Sequence, residues 1–378
     1  MIKVLNVITD TNIGGAGRVL IHYLNHFDRG RFDVSVAVPS GSQLIPEVIK
    51  AGYKPIETEY GHDRSFEPKA VRELYRIIKE TKPDIVHTHS SLSAKLAAYL
   101  AGVDSRIYTR HCAYDLPESD KRFPKKQLSG FVNNTLSTAI VAVVQAAADN
   151  LTDTGVDPEK ITVIMNGVEP IEQIGEDEKR RLKSALGIAE NDFVCTLSAR
   201  LEDVKGHEYL IRAAKEIFER DKTIKFLIVG TGSLEASLKQ TVHELGLDGT
   251  VIFTGFVKNV APYLNITDLN LNCSWGTEAS SLAIAEAMSL GIPTVATIFG
   301  GNPSMITDGE NGLLVPKKDA HALAAAILRI KEDKELLKKL GEGAKKVYAA
   351  RFTAGAMTDQ LEALYEKEAE RCRNKHKK

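Results

Sequence analysis

Strand-length apolar runs alternate with segments of helical period along the whole chain, and the alternation restarts once, past a cluster of turn residues. In the first half, 3–9, 33–38, 85–87, 106–109 and 139–144 read as strands, and 17–27, 68–80, 92–101 and 146–154 as helices; 161–164 closes the series as a short strand. Asn166-Gly167-Val168-Glu169-Pro170 is a turn cluster that opens a polar linker running to about residue 177. The pattern then resumes with strands at 193–199, 226–229, 251–254, 269–272, 294–296 and 312–315, with helices between them. Strands that alternate with helices make parallel sheets covered on both faces, so most strands are apolar throughout. The reading is an α/β chain of two doubly wound, Rossmann-like domains, 1–169 and 170–352, which 378 residues are enough to build. A last helix from about 353 to 370 carries Met357, Leu361 and Leu364 at helical spacing.

Composition narrows the function classes. Formal net charge is −1, which leaves no bulk field to attract nucleic acid. Cys112, Cys195, Cys273 and Cys372 are far apart and match no zinc spacing; the two in apolar strands, Cys195 and Cys273, read as buried thiols, and a reduced, cytoplasmic setting follows. No apolar run reaches the length of a membrane span, and residues 1–9 read as a first strand rather than a signal peptide. The basic end from Arg371 onward reads as a solvated, frayed tail rather than a membrane contact.

The segment from Trp275 to Val295 says most about chemistry. Glu278 follows the strand at 269–272, and Glu286 stands eight positions on, about two turns into a helix that Gly291-Ile292-Pro293 ends. In an open α/β sheet, ligands bind at the carboxyl ends of the strands. The helix start at Ser280-Ser281-Leu282 offers free N–H groups to an anion. Two carboxylates that accept from hydroxyls, flanking an anion cradle, suit a sugar nucleotide. On spacing alone, a solvated Glu286 and a Glu278 that merely favours the dipole at the helix N-terminus fit as well.

Other stretches fall at comparable sheet edges. Gly14-Gly15-Ala16-Gly17 follows the first strand and opens a helix, as a phosphate loop or a simple tight turn does; its spacing departs from Gly-x-Gly-x-x-Gly, against a dinucleotide oxidoreductase. Arg200 and Lys205 follow the strand at 193–199, where two cations suit a leaving diphosphate or, beside Glu202 and Asp203, an ordinary surface. Gly230-Thr231-Gly232 lines a site wall or makes a strand–helix turn, and Phe256 stacks on a base or, more simply, fills a core. His87 and His89 lack a third ligand nearby in sequence and read as structural or site-lining rather than metal-binding. Lys121-Arg122-Phe123-Pro124-Lys125-Lys126 reads as a solvated loop or as a contact for anionic lipid head groups or an acidic acceptor.

Four stretches in order, Ile13-Gly14-Gly15-Ala16-Gly17-Arg18, Val163-Ile164-Met165-Asn166-Gly167-Val168, Arg200-Leu201-Glu202-Asp203-Val204-Lys205-Gly206 and Glu278 to Val295 with Gly300-Gly301-Asn302-Pro303 and Asp308 to Val315, together resemble the retaining family-4 glycosyltransferases of the GT-B fold. The resemblance spans nearly the whole chain. One departure is Ala279-Ser280-Ser281, where the family often has Gly-Phe-Gly, and this bears on the donor sugar. The resemblance implies two Rossmann-like domains with a cleft between them, an N-terminal domain for the acceptor and a C-terminal one for a nucleotide-sugar, and a last helix, 353–378, packed back on the N-terminal domain. It implies a hexosyl or N-acetylhexosaminyl transfer, with a UDP-sugar favoured, in cell-surface glycan or glycolipid biosynthesis. Glu278 and His111 then hold the sugar; Arg200, Lys205, Gly14, Gly15, Ser281 and Leu282 the diphosphate; Glu286 the ribose; and the loops at Gly230 and Phe256 the base side. No cofactor or metal is implied, and no Asp-x-Asp occurs in the chain. The expected partners are the nucleotide-sugar and a glycan or lipid-linked acceptor, with peripheral contact to the inner face of the cell membrane and no nucleic acid. Alternatives on the same architecture are a GDP-mannose-dependent transferase, an epimerase, a phosphorylase or an inactive sugar-nucleotide-binding protein.

Overall fold

In the computed structural model, which describes residues 1–375, the chain divides into two compact units. One is Met1–Val168 with the chain from Ala354 onward; the other is Glu169–Thr353.

The first unit alternates β1 (Ile2–Ile8), α1 (Gly15–His26), β2 (Phe32–Pro39), α2 (Leu44–Lys50), β3 (Ile56–Thr58), α3 (Pro68–Thr81), β4 (Ile85–His89), α4 (Leu92–Leu100), β5 (Ser105–Arg110), α5 (Lys125–Leu136), β6 (Ala139–Ala142), α6 (Gln145–Asp153) and β7 (Ile161–Val163). Its seven strands are all parallel in the order β3-β2-β1-β4-β5-β6-β7. The order reverses between β1 and β4, which is where such a sheet opens a crevice at its carboxyl edge. Leu5, Val7, Ala37 and Val86 of the strands pack with Leu74, Ile77 and Ile78 of α3 and Ala94, Ala97 and Ala98 of α4. Ser91 caps α4, its hydroxyl accepting from the Ala94 N–H at 3.2 Å.

The C-terminal helix, Ala354–Lys375, packs on this unit. Buried Tyr365 meets Tyr23 and Phe32 edge-on, and Glu362 accepts from the Asp28 N–H at 2.6 Å and from Arg31 at 3.2 Å. The tail does not fray at Arg371 as the sequence reading expects. Arg371 donates to the Asp104 carbonyl at 2.8 Å and to Glu368 at 2.9 Å, and Lys375 reaches the Asp104 carboxylate at 2.8 Å. The expected tail residues His376, Lys377 and Lys378 lie outside the described residues.

The second unit runs α7 (Glu176–Ala185), β8 (Phe193–Ser198), α8 (His207–Phe218), β9 (Ile224–Val229), α9 (Glu235–Glu244), β10 (Val251–Gly255), α10 (Ala261–Asn265), β11 (Leu269–Asn272), α11 (Leu282–Ser289), β12 (Thr294–Thr297), α12 (Asn302–Met305), β13 (Gly312–Val315), α13 (Ala320–Glu332) and α14 (Lys334–Arg351). Its six parallel strands take the order β10-β9-β8-β11-β12-β13, so the switch point lies between β8 and β11. Its core joins Leu197, Phe226, Ile228, Leu271, Val295 and Leu313 to Leu210, Ile211 and Ala214 of α8 and Leu323 and Ile327 of α13. Asp319 and Asp333 cap α13 and α14 through the Ala322 and Leu336 N–H groups, each at 2.9 Å. Cys195 and Cys273 are buried free thiols in this unit.

Candidate functional site

At the β8/β11 switch point the second unit brings Lys205 and Glu278 together. Lys205 closes a 3-10 turn, Asp203–Lys205, after β8. Its ammonium donates to the Thr277 carbonyl and to Glu278 Oε2, each at 3.0 Å. Side chains of the pair are only 16% and 11% exposed. Glu278 Oε2 also accepts from Ser274 Oγ at 2.7 Å and Asn272 Nδ2 at 3.2 Å. One carboxylate oxygen is thereby held by three donors, which fixes the direction in which the other oxygen points.

The loop carrying Glu278 is clamped on both sides. The Trp275 N–H donates to the Val204 carbonyl at 2.9 Å, and its indole Nε1–H to the Asp203 carbonyl at 2.8 Å. Gly300, with φ +54, approaches so closely that a Cβ there would lie 2.3 Å from the Glu278 carbonyl oxygen. Gly206, at φ +72, fits the same way against the Cys273 carbonyl, at 2.1 Å. These glycines let two strand–helix loops sit in contact at the sheet edge.

Ser281 is the N-cap of α11; its hydroxyl accepts from the Ile284 N–H at 3.5 Å and from Asn272 Nδ2 at 3.3 Å. Leu282 is the first helical residue, and the N–H groups of that first turn point out of the helix end as an anion cradle. Because α11 starts at Leu282, Glu286 lies four residues on, about 6 Å along the axis and just over one turn in rather than two. It is 4% exposed, so the solvated alternative for this carboxylate does not hold.

Arg200 sits two residues past β8 and is exposed. Gly230 has φ +142, and a Cβ there would lie 2.1 Å from the Ala199 carbonyl, so its glycine serves a close backbone crossing beneath the Arg200 loop. Phe256 does not join a core: it is 75% exposed, because Gly255 turns at φ +72 as the chain leaves β10. His207, which opens α8, carries no motif that marks it in the sequence; it is buried, neither ring nitrogen has a hydrogen-bond partner, and burial with nearby Lys205 pushes its pKa down to about 4.

On the first unit, Gly14 is the N-cap of α1 and Gly15 its first residue; a Cβ on Gly15 would meet nothing within 4 Å, so the turn is open. Gly17 instead packs against Leu44 of α2, where a Cβ would lie 2.7 Å from its side chain. His111, one residue past β5, is partly exposed and stacks on His89 with ring centroids 5.2 Å apart, while His89 stacks on His87 at 4.6 Å. His89 Nδ1 and His111 Nε2 share a hydrogen bond at 2.9 Å; His87 is held at 2.6 Å by both Tyr365 Oη and Thr109 Oγ1. Burial pushes His87 down to about 3 and His111 to about 4, and lowers His89 as well. A third histidine thus does join the pair in space, yet among the described residues no group of three or more His, Cys, Asp or Glu is placed to hold a metal.

Residues 13–171 match the model described as Glycosyltransferase Family 4, and residues 178–347 the one described as Glycosyl transferases group 1. The chain belongs to the family-4 glycosyltransferases of the GT-B fold. This glycosyltransferase is similar, at 27% identity over 96% of each chain, to an Escherichia coli UDP-Gal:alpha-D-GlcNAc-diphosphoundecaprenol alpha-1,3-galactosyltransferase. It is 28% identical to an N-acetyl-alpha-D-glucosaminyl L-malate synthase of Bacillus anthracis, over 75% of this chain and 74% of that one. Among solved structures, Anabaena Alr3699/HepE in complex with UDP shares the fold with a TM-score of 0.82 at 21% identity, covering 97% of this chain and 100% of that one. The reaction class of this glycosyltransferase is therefore transfer of a sugar from a nucleotide-sugar donor. Among the described residues, no helix is long and apolar enough to cross a membrane.

Proposed function

We propose that this glycosyltransferase moves a hexosyl or N-acetylhexosaminyl group from a UDP-sugar, with retention at the anomeric carbon, to a glycan or lipid-linked acceptor in cell-surface glycan biosynthesis. The observation that carries the reading is the Lys205–Glu278 pair beside the N-terminus of α11, with buried Glu286 one turn further along. In this reading Glu286 accepts from the ribose hydroxyls, and the first turn of α11 with Arg200 and Lys205 meets the diphosphate. Glu278, aimed by Lys205, Ser274 and Asn272, meets the sugar. Retention on the front face needs no separate base, because the departing phosphate oxygen can take the acceptor proton. Rate then comes from positioning and from stabilising charge on the leaving diphosphate. A UDP-sugar and a lipid-linked acceptor are supported by the name of the E. coli relative, and UDP by the ligand of the Anabaena structure. The inner face of the cell membrane is the place where such an acceptor is met.

The test is transfer from a UDP-hexose to a lipid-linked or short glycan acceptor in excess chelator, with product stereochemistry read by proton NMR. Retained configuration at undiminished rate is the expected result. An inverted product, or activity that returns only with added magnesium or manganese, refutes the mechanism.

A further inference from the structure

Helix α5 is built inside out. Its protein-facing side carries Gly130, Asn133 and Asn134. Gly130 lies against the backbone of Gly155, where a Cβ would come within 2.3 Å of the Gly155 carbonyl oxygen. Asn134 donates to that same carbonyl at 3.1 Å and accepts from the Asp157 N–H at 2.9 Å. Asn133 Oδ1 accepts from the buried Lys95 ammonium at 2.9 Å. The polar and small residues therefore do the packing. Two of the large apolar ones point away, while Leu136 at the helix end is buried: Leu128 is 65% exposed and Phe131, one turn on, 69%, with Phe123 just before the helix at 80%. A surface helix ordinarily shows the reverse arrangement. Three large apolar side chains clustered on one short stretch mark an interaction surface rather than scattered exposure.

Charge indicates what the surface meets. Between Asp120 and Asp149 the chain has no acidic residue, while Lys121, Arg122, Lys125 and Lys126 surround Phe123. Lys121 is held by Glu118 at 3.1 Å and Asp153 at 3.9 Å, and Lys125 by Asp120 at 2.8 Å. Arg122 and Lys126 make no ion pair among the described residues, and Arg122 is exposed. Aromatic and aliphatic side chains exposed together on one short stretch, with cations beside them, suit a bilayer: the apolar tips enter the acyl boundary and the cations meet lipid phosphates.

We propose that the outer face of α5, with Phe123 and the cations before it, docks this protein on an anionic lipid bilayer. The proposal rests on the membrane placement in the proposed function and names the face that carries it; no residue of the donor site takes part, so its failure leaves the sugar-transfer reading standing. It is tested on the full chain by co-sedimentation with vesicles of phosphatidylcholine alone and of phosphatidylcholine with phosphatidylglycerol. Wild type should pellet with the anionic vesicles and not with the neutral ones. The double substitution Leu128→Ser/Phe131→Ser should lower partitioning by about tenfold or more. Arg122→Gln/Lys126→Gln should lower it by a comparable factor and abolish its salt sensitivity. Both variants should keep wild-type UDP affinity and circular dichroism, which separates lost docking from lost fold or lost donor binding. Equal partitioning of wild type and variants, or no binding to anionic vesicles, overturns the proposal. A mass twice that of the chain in light scattering, lost in Leu128→Ser/Phe131→Ser, overturns it in favour of a second copy as occupant.

Discussion

Replacing Lys205 by methionine keeps most of the side-chain stem and removes the ammonium. The structure sets the size of the loss. Two hydrogen bonds disappear, one to the Thr277 carbonyl and one to Glu278 Oε2, both 3.0 Å. Breaking a fully buried ion pair costs about 3–5 kcal/mol because the surviving charge is left uncompensated. Here Glu278 keeps Ser274 and Asn272 as donors, and the two side chains retain 11% and 16% exposure, so the loss should fall lower, about 2–3 kcal/mol. Trp275 is the only tryptophan in the chain, and its N–H groups bond the same 3-10 turn that carries Lys205. Its fluorescence in a urea titration therefore reports this unit alone. Adding Glu278→Gln to Lys205→Met should recover about half of the loss, since no stranded carboxylate remains. Two substitutions whose effects add within about 0.5 kcal/mol would refute the coupling. The same Lys205→Met protein should lose far more turnover than donor affinity, because charge on the diphosphate grows towards the transition state. Equal losses in both would make Lys205 a ground-state contact only.

Three further outcomes follow from the geometry. Gly300→Ala puts a Cβ 2.3 Å from the Glu278 carbonyl at a φ of +54, and should destabilise the C-terminal unit by about 2 kcal/mol or more while leaving the far-UV spectrum native; a neutral urea midpoint contradicts this. His87 and His111 have pKa values of about 3 and 4 when folded, below the ordinary 6.5, so the unfolded chain takes up protons first; stability is complete above pH 6.5 and is lost as pH falls towards 4. On acidification the three lowered histidines of the N-terminal unit, His87, His89 and His111, destabilise it more than His207 alone destabilises the other, so circular dichroism and Trp275 fluorescence should separate; coincident transitions at every pH contradict it. His111→Ala should lower turnover by at least about tenfold with UDP affinity intact, and unchanged kcat removes His111 from the reaction.

Much of this fold is legible because parallel strands buried on both faces are apolar along their length, as at Val36, Ala37 and Val38 or Phe226 to Val229. The strand β3, only three residues long, carries too little pattern to read. Helix α5 is missed for a stronger reason: Gly130, Asn133 and Asn134 face inward, so the apolar period points the wrong way, and the loop expected at 121–126 ends in a helix from Lys125. The candidate residues Glu278, Glu286 and Lys205 are readable as local motifs near strand ends. Their pairing is not, because Lys205 and Glu278 lie 73 positions apart and only the β8/β11 switch brings them together. His89 and His111, 22 positions apart, meet for the same reason across β4 and β5. Phe256 is misjudged as core because residue type alone does not reveal that Gly255 turns the chain outward.

The central claim is that a nucleoside diphosphate sits at the carboxyl edge of the second sheet with its ribose on Glu286. Titration calorimetry of UDP against wild type and Glu286→Ala tests it most directly. Loss of a charged acceptor for the ribose hydroxyls should weaken UDP by about 1.5–3 kcal/mol, roughly ten- to a hundredfold in Kd, in a variant whose Trp275 urea transition shows it folded. UDP binding of equal strength in both proteins contradicts the claim, as does the absence of any UDP binding by the wild type.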